Sequence, residues 1–137
     1  MSENSTTSPS AASTSGRVKV RYGAVSFDCA DPGELARFYG SVLDLPVLYS
    51  SDDFVALGYA GQPGIAFVRI DGYQRPTWPQ PAVPKQAHFD FGVDDLDTAQ
   101  AELIALGATE PPAQPQPDQW RVLLDPAGHP FCISTSI

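Results

Sequence analysis

The sequence predicts an α+β fold: two tandem βαβββ units forming a curved mixed sheet, with the helices on its convex side. Three observations carry that expectation. Each of two amphipathic helical patterns follows an apolar run that alternates with a period of two. Each helix opens on an aspartate, Asp31 or Asp95, whose carboxylate suits the free N–H groups of a first turn. The spacing is also constant: Asp31 and Asp95, Phe27 and Phe91, and the tetrapeptides Gly64-Ile65-Ala66-Phe67 and Gly128-His129-Pro130-Phe131 all lie 64 positions apart. A fixed offset at both ends of a pattern is the mark of a duplicated supersecondary unit.

In chain order, Val18 to Cys29 reads as a strand, with Val25 and Phe27 alternating against Ala24, Ser26 and Asp28. Asp31-Pro32-Gly33-Glu34 supplies a cap, a proline for the first helical position and the acid that closes a capping box. Leu35, Phe38, Tyr39, Val42 and Leu43 form one apolar helical face, ended by Leu45-Pro46. Strands follow at Pro46 to Tyr49, Phe54 to Tyr59 and Ile65 to Ile70, separated by polar and glycine turns. The stretch Asp71 to Pro84 holds Pro76, Pro79, Pro81 and Pro84. It reads as a semi-extended connector, because proline lacks the N–H that a central strand or helix needs. The pattern restarts with a strand over Gln86 to Val93, then a helix from Asp94-Asp95 through Leu96, Ala99, Leu103 and Leu106 to Gly107. Strands at Trp120 to Leu124 and Phe131 to Ser134 flank the turn Asp125-Pro126-Ala127-Gly128. Phe27, Phe91, Phe67 and Phe131 are expected beneath Leu35, Phe38, Leu103 and Leu106. The domain reading is a tail over 1–16 and one domain over 17–137. Within it, unit one spans about 18–72, the connector 73–85 and unit two 86–137.

Composition narrows the function. At 137 residues and 42% hydrophobic, the chain can bury a core. A formal charge of −8 argues against nucleic acid and anionic membrane as partners. No apolar run reaches the length of a membrane span. The Ser/Thr/Ala-rich start lacks the basic and apolar regions of a secretory signal and reads as a solvated tail. Cys29 and Cys132 are too few for a disulfide framework and read as small buried hydrophobes. The expected compartment is the cytoplasm.

Three stretches resemble the vicinal oxygen chelate superfamily of glyoxalases, bleomycin resistance proteins and dioxygenases. They are Ala30-Asp31-Pro32-Gly33-Glu34-Leu35-Ala36-Arg37-Phe38-Tyr39, then His88-Phe89-Asp90-Phe91 with Val93-Asp94-Asp95-Leu96, then Asp125-Pro126-Ala127-Gly128-His129-Pro130-Phe131-Cys132. The resemblance covers about residues 18 to 137 and is nearest to the small glyoxalase-like bacterial branch. It implies a homodimer and, in metal-using members, four ligand positions facing a cupped sheet. Carried onto this chain these are Ala24, Val68, His88 and Cys132. Ala24 and Val68 offer no donor atom, so the expectation is a protein without metal or other cofactor.

The candidate site residues lie on the cup. His88 is the acid/base candidate, since imidazole titrates near neutrality. Asp28 and Asp90 share its strand face and are placed to orient its ring. Tyr22, Ser26, Tyr59, Trp78 and Trp120 join His88 as candidate ligand contacts, with Trp78 in the connector as a lid and Trp120 reading first as core and only second as a pocket wall. His129 reads as an exposed turn residue. Three functions stay open: a metal-free protein binding a small, partly aromatic molecule; a lyase or isomerase using His88 with Asp28 or Asp90; and an interaction module with an empty cup.

Overall fold

The computed structural model of the chain describes residues 18, 19 and 21–136; the N-terminal segment read as a tail lies outside the described residues. The elements run β1 (Ala24–Cys29), α1 (Pro32–Leu43), β2 (Val47–Ser50), β3 (Phe54–Leu57), β4 (Gly64–Arg69), β5 (Asp90–Gly92), α2 (Leu96–Leu106), β6 (Trp120–Leu124) and β7 (Pro130–Ser134). Both helices start where the caps indicate. Asp31 accepts from the Glu34 amide at 3.1 Å and Asp95 from the Thr98 amide at 2.8 Å. They end on left-handed or glycine caps, Asp44 at φ 53° and Gly107 at φ 124°.

The two units share one topology. In the first, β1 is parallel to β4, and the sheet order is β1-β4-β3-β2. In the second, β5 is parallel to β7, and the order is β5-β7-β6. The single curved sheet of the sequence reading is therefore two mixed sheets. Among the described residues, unit two also lacks its second full strand. Thr109 makes an isolated bridge to Leu124 in its place, and the Gln114 side-chain amide pairs with both backbone groups of Val122, at 2.7 and 3.0 Å. One side chain thus satisfies the edge of β6, as a neighbouring strand would.

Three strands are shorter than expected: β3 stops at Leu57 rather than Tyr59, and the other two shorten for identifiable reasons. The first begins at Ala24 rather than Val18, because β4, its one partner among the described residues, begins at Gly64, just after Pro63. The strand expected over Gln86 to Val93 shrinks to Asp90–Gly92. The Cys132 amide still donates to Phe89 O at 2.9 Å. One step further back in the ladder stands Pro130, which has no N–H to give.

The core lies between the sheets and helices. Leu35, Phe38 and Tyr39 of α1 are almost fully buried, with Phe67, Phe131, Leu123 and Ile133 beneath them. The Tyr39 ring stacks on Phe67 at 5.6 Å and meets Phe89 at 5.1 Å, while Phe38 meets Phe131 at 6.0 Å. One helix therefore binds both units, each large side chain adding about 1.5–3 kcal/mol of burial. Leu106 departs from the expected core set. It sits in the last turn of α2 and is 45% exposed.

Sheet register refines the duplication. Phe67 and Phe131 are equivalent, each being buried and paired with a buried residue of the next strand, Val55 or Leu123. Val68 and Cys132 are therefore equivalent too. Their partners are Asp28 and Asp90. Asp28 thus matches Asp90, Phe27 matches Phe89 rather than Phe91, and Ser26 rather than Ala24 matches His88. The first strands run 62 positions apart, and two extra residues before Asp95 restore the 64-residue spacing.

Candidate functional site

The turn that opens unit two's last strand is built around a buried acid. Asp125 is 1% exposed. Its Oδ1 accepts from the Ala127 and His129 amides, both at 2.9 Å, and its Oδ2 accepts from the Tyr39 hydroxyl at 2.6 Å. Burial holds this carboxyl above its ordinary range, against the pull of the Tyr39 hydrogen bond and of His129. Burial, and then Asp125, likewise push the Tyr39 hydroxyl up.

This turn anchors the connector. Tyr73 donates to Ala127 O at 2.7 Å, and the Arg75 guanidinium donates to Pro126 O at 2.7 Å. Arg75 lies across Gly128, where a Cβ would come within 2.9 Å of its Nε; Gly128 also has φ 88°. Only glycine meets both demands. The half-buried His129 brings its Nε2 to 2.7 Å from Asp28 O and 3.3 Å from the Tyr73 hydroxyl. A carbonyl only accepts, so Nε2 carries the proton. His129 thereby supplies a donor to a free edge carbonyl of β1 and joins the two units. Burial, then Asp125, push the Tyr73 hydroxyl up to about 12.

Between β1 and the connector lies a pocket of about 440 Å³. Its walls are Ser26, Phe27 and Asp28, with Tyr73, Gln74, Pro76, Val83, Pro84, Gln86 and Ala87 from the connector side and His129 from the turn. That volume is within the range of small-molecule sites, and a mostly apolar wall with a few convergent polar groups is their usual chemistry. Pro76, Val83 and Pro84 of the connector line this pocket together with β1. Trp78 sits in a loop closed by Thr77 and Val83, with Thr77 N donating to Val83 O at 2.8 Å and Val83 N to Thr77 Oγ1 at 2.9 Å. It is half-buried and outside the pocket lining.

The structure spreads the sequence-derived residues over several places. Ser26 and Asp28 line this pocket. His88 does not; its Nε2 lies 3.5 Å from Asp90 Oδ1, and these two group with Cys132, which alternates with buried Phe131 and Ile133 on β7. Burial, and then Asp90, raise the Cys132 thiol, with Lys85 opposing. Tyr22 and Tyr59 are 61% and 53% exposed, and Trp120 is half-buried at the start of β6. Ala24 and Val68 lie on the face of the first sheet opposite buried Phe27 and Phe67, and neither carries a donor. The four-position ligand set is therefore not completed. Tyr73 and His129 belong to the pocket without having been selected from the sequence. The Asp-Pro-Ala-Gly turn marked the place, but nothing local says that His129 reaches across 101 residues to β1.

Among the described residues no helix is long and apolar enough to cross a membrane. Residues 24–134 match the family model described as a glyoxalase-like domain. No curated protein matches the chain. Among solved structures, the chain is similar to a mutant of the fosfomycin resistance protein FosX from Listeria monocytogenes, complexed with Mn(II) and 1S,2S-dihydroxypropylphosphonic acid. That likeness has a TM-score of 0.61 and 18% identity, over 86% of this chain and 94% of that one. A glyoxalase/bleomycin resistance protein/dioxygenase family enzyme from Burkholderia phytofirmans PsJN gives a TM-score of 0.58 and 22% identity, over 81% and 94%. The bleomycin-binding protein of Streptomyces verticillus, complexed with copper(II)-bleomycin, gives 0.51 and 16%, over 86% and 98%.

Proposed function

The chain belongs to the glyoxalase-like domain family, and from that premise we propose that it binds a small, partly aromatic molecule in the pocket between β1 and the connector, without metal in the binding step. The observation that carries this is the pocket of about 440 Å³, where Ser26, Asp28, Tyr73 and His129 converge under an apolar roof. Asp28 supplies an acceptor, and the tethered Tyr73 and His129 fix the far wall. Relatives of the same fold include a bleomycin-binding protein and a fosfomycin resistance protein, which supports a sequestering or resistance role. The two free cysteines suit a reducing compartment, so the reading includes the cytoplasm. It also includes a homodimer, for which the exposed Val47, Leu48 and Tyr49 of edge strand β2 offer an apolar face. Sedimentation as a monomer at high concentration would remove that part.

The test is a thermal-shift screen of metabolites and antibiotics, with and without chelator. A true ligand at a hundredfold its Kd stabilises by about 2.7 kcal/mol. Ser26→Trp fills the pocket at an exposed position and abolishes the shift, while chelator leaves the parent's shift intact. Parent-like binding by Ser26→Trp would displace the site from this pocket. The 3.5 Å approach of His88 to Asp90 favours a second reading, a lyase or isomerase with that pair as acid and base. Turnover of a screened ligand, lost in His88→Ala, selects it.

A further inference from the structure

We propose that the cavity between α1 and the β2–β3 hairpin binds a small organic acid with an apolar body, its anionic head held by Arg37. The cavity measures about 410 Å³, within the range of small-molecule sites. It shares no residue with the pocket beside the connector, so it stands or falls independently of the function proposed above.

Helix periodicity and a strand irregularity together make the space. Gly33, Ala36, Arg37, Gly40 and Ser41 line one wall, at the i, i+3, i+4, i+7, i+8 spacing of a single helical face. Gly40 lets α1 approach the hairpin closely: a Cβ there would lie 3.3 Å from Leu45 O and 4.0 Å from the Leu57 methyls. Ala36, Val55 and Leu57 are buried and form the apolar floor. The opposite wall comes from β2, the edge strand of the first sheet. Its Val47 and Ser50 both line the cavity, although plain alternation would put positions three apart on opposite faces. The register shift between Val47 and Tyr49 supplies the extra residue that brings both to one side.

Charge selects the occupant. The chain carries 16 acidic against 8 basic side chains, yet among the described residues no carboxylate lines this cavity. Acids stand in its neighbours: Asp90 and Glu102 in the cavity between α1 and α2, Asp28 in the pocket beside the connector, and Glu34 in the crevice that Arg37 also borders. Other arginines are already engaged. Arg69 pairs with Asp53 and Asp71, Arg121 pairs with Asp97, and Arg75 donates to Pro126 O. Among the described residues Arg37 has no such partner, so its guanidinium can meet a carboxylate or sulfonate with two parallel hydrogen bonds. Ser41 and Ser50 add hydroxyl donors, and the floor takes a hydrocarbon body out of water.

The probe is anilinonaphthalene sulfonate, which brightens on leaving water, set against phenylnaphthylamine, the same rings without the sulfonate. The full chain should bind the sulfonate saturably; octanoate should displace it and octylammonium should not. Arg37→Gln should weaken the sulfonate about tenfold or more, the loss of a charge-assisted contact, and leave the affinity of the neutral amine as it was. Ser50→Glu should weaken the sulfonate and Ser50→Lys should tighten it, both with melting curves like the parent's. Ser26→Trp, which fills the pocket beside the connector, should keep sulfonate binding, so the two sites fail separately. No saturable binding by the parent, equal effects of Arg37→Gln on both probes, equal weakening by Ser50→Glu and Ser50→Lys, or loss of binding in Ser26→Trp overturns the proposal.

Discussion

Tyr39→Phe isolates the polar link in the core. The hydroxyl donates to Asp125 Oδ2 at 2.6 Å, in a place where Tyr39 and Asp125 are each 1% exposed. The ring itself stays, so stacking on Phe67 is kept and no cavity opens. What is lost is one hydrogen bond to a charged group, worth about 1.5–3 kcal/mol. At roughly 3–5 °C per kcal/mol for a domain of this size, a 2 kcal/mol loss lowers Tm by about 6–10 °C. The cost should also depend on pH. Asp125 is held above its ordinary range, so the native state keeps its proton more tightly than the unfolded chain does. The stability this supplies is complete below the unfolded value, about 4, and is lost as pH rises through the folded value. The Tyr39 hydrogen bond lowers the folded value; removing it raises that value further and steepens the loss. Urea melts should therefore show a deficit of about 2 kcal/mol at neutral pH and less than half of that near pH 4. An equal deficit at both pH values, or one below about 0.5 kcal/mol at neutrality, would refute the view that the hydroxyl holds a buried carboxylate.

Gln114→Ala strips both partners from Val122. It should cost about 1–3 kcal/mol and speed exchange of the Val122 amide at least tenfold, read by native-state hydrogen exchange; an unchanged amide would mean that water substitutes for the side chain. Tyr73 is pushed up to about 12, so its stabilising effect is present below the unfolded value near 10 and is lost as pH rises towards 12. Tyr73→Phe should flatten the fall in stability across that alkaline window in denaturant melts, and an unaltered slope would place the titrating group elsewhere.

The fold was legible wherever local chemistry decides structure. Asp31 and Asp95 mark both helix starts because a capping carboxylate acts within three residues. Trp120 to Leu124 keeps its predicted bounds because its pattern and its flanking turn agree. Strand ends were less legible, since they depend on partners. The first strand starts only at Ala24 because β4 offers no partner earlier, and the fifth is trimmed because Pro130 stands opposite. The missing strand of unit two had no local signal, as a side chain, Gln114, takes over its hydrogen bonds. The site was legible in part for a similar reason. Ser26 and Asp28 share a face by simple alternation, and so do His88 and Asp90. Which sheet each pair faces is a tertiary matter. His129 was missed because its role depends on a contact 101 residues away.

The two-residue shift between the first strands has a consequence that can be built. If register defines equivalence, unit one already holds Asp28 where unit two holds Asp90, and lacks only counterparts of His88 and Cys132. Those counterparts are Ser26 and Val68, because Asp28 pairs with Val68 as Asp90 pairs with Cys132. Ser26 is exposed and Val68 half-buried, so both accept new side chains without opening the core. The double variant Ser26→His, Val68→Cys should then carry a second donor triad. It should take up one more Co²⁺ per chain than the parent, with a thiolate charge-transfer band to match. The pair Ala24→His, Val68→Cys, chosen by the uniform 64-residue offset, puts its imidazole one full strand repeat, about 7 Å, beyond reach of that triad and should take up no more than the parent. The reverse outcome, with Ala24→His building the site and Ser26→His failing, would mean that the spacing along the sequence describes the repeat better than the hydrogen-bonded ladder does.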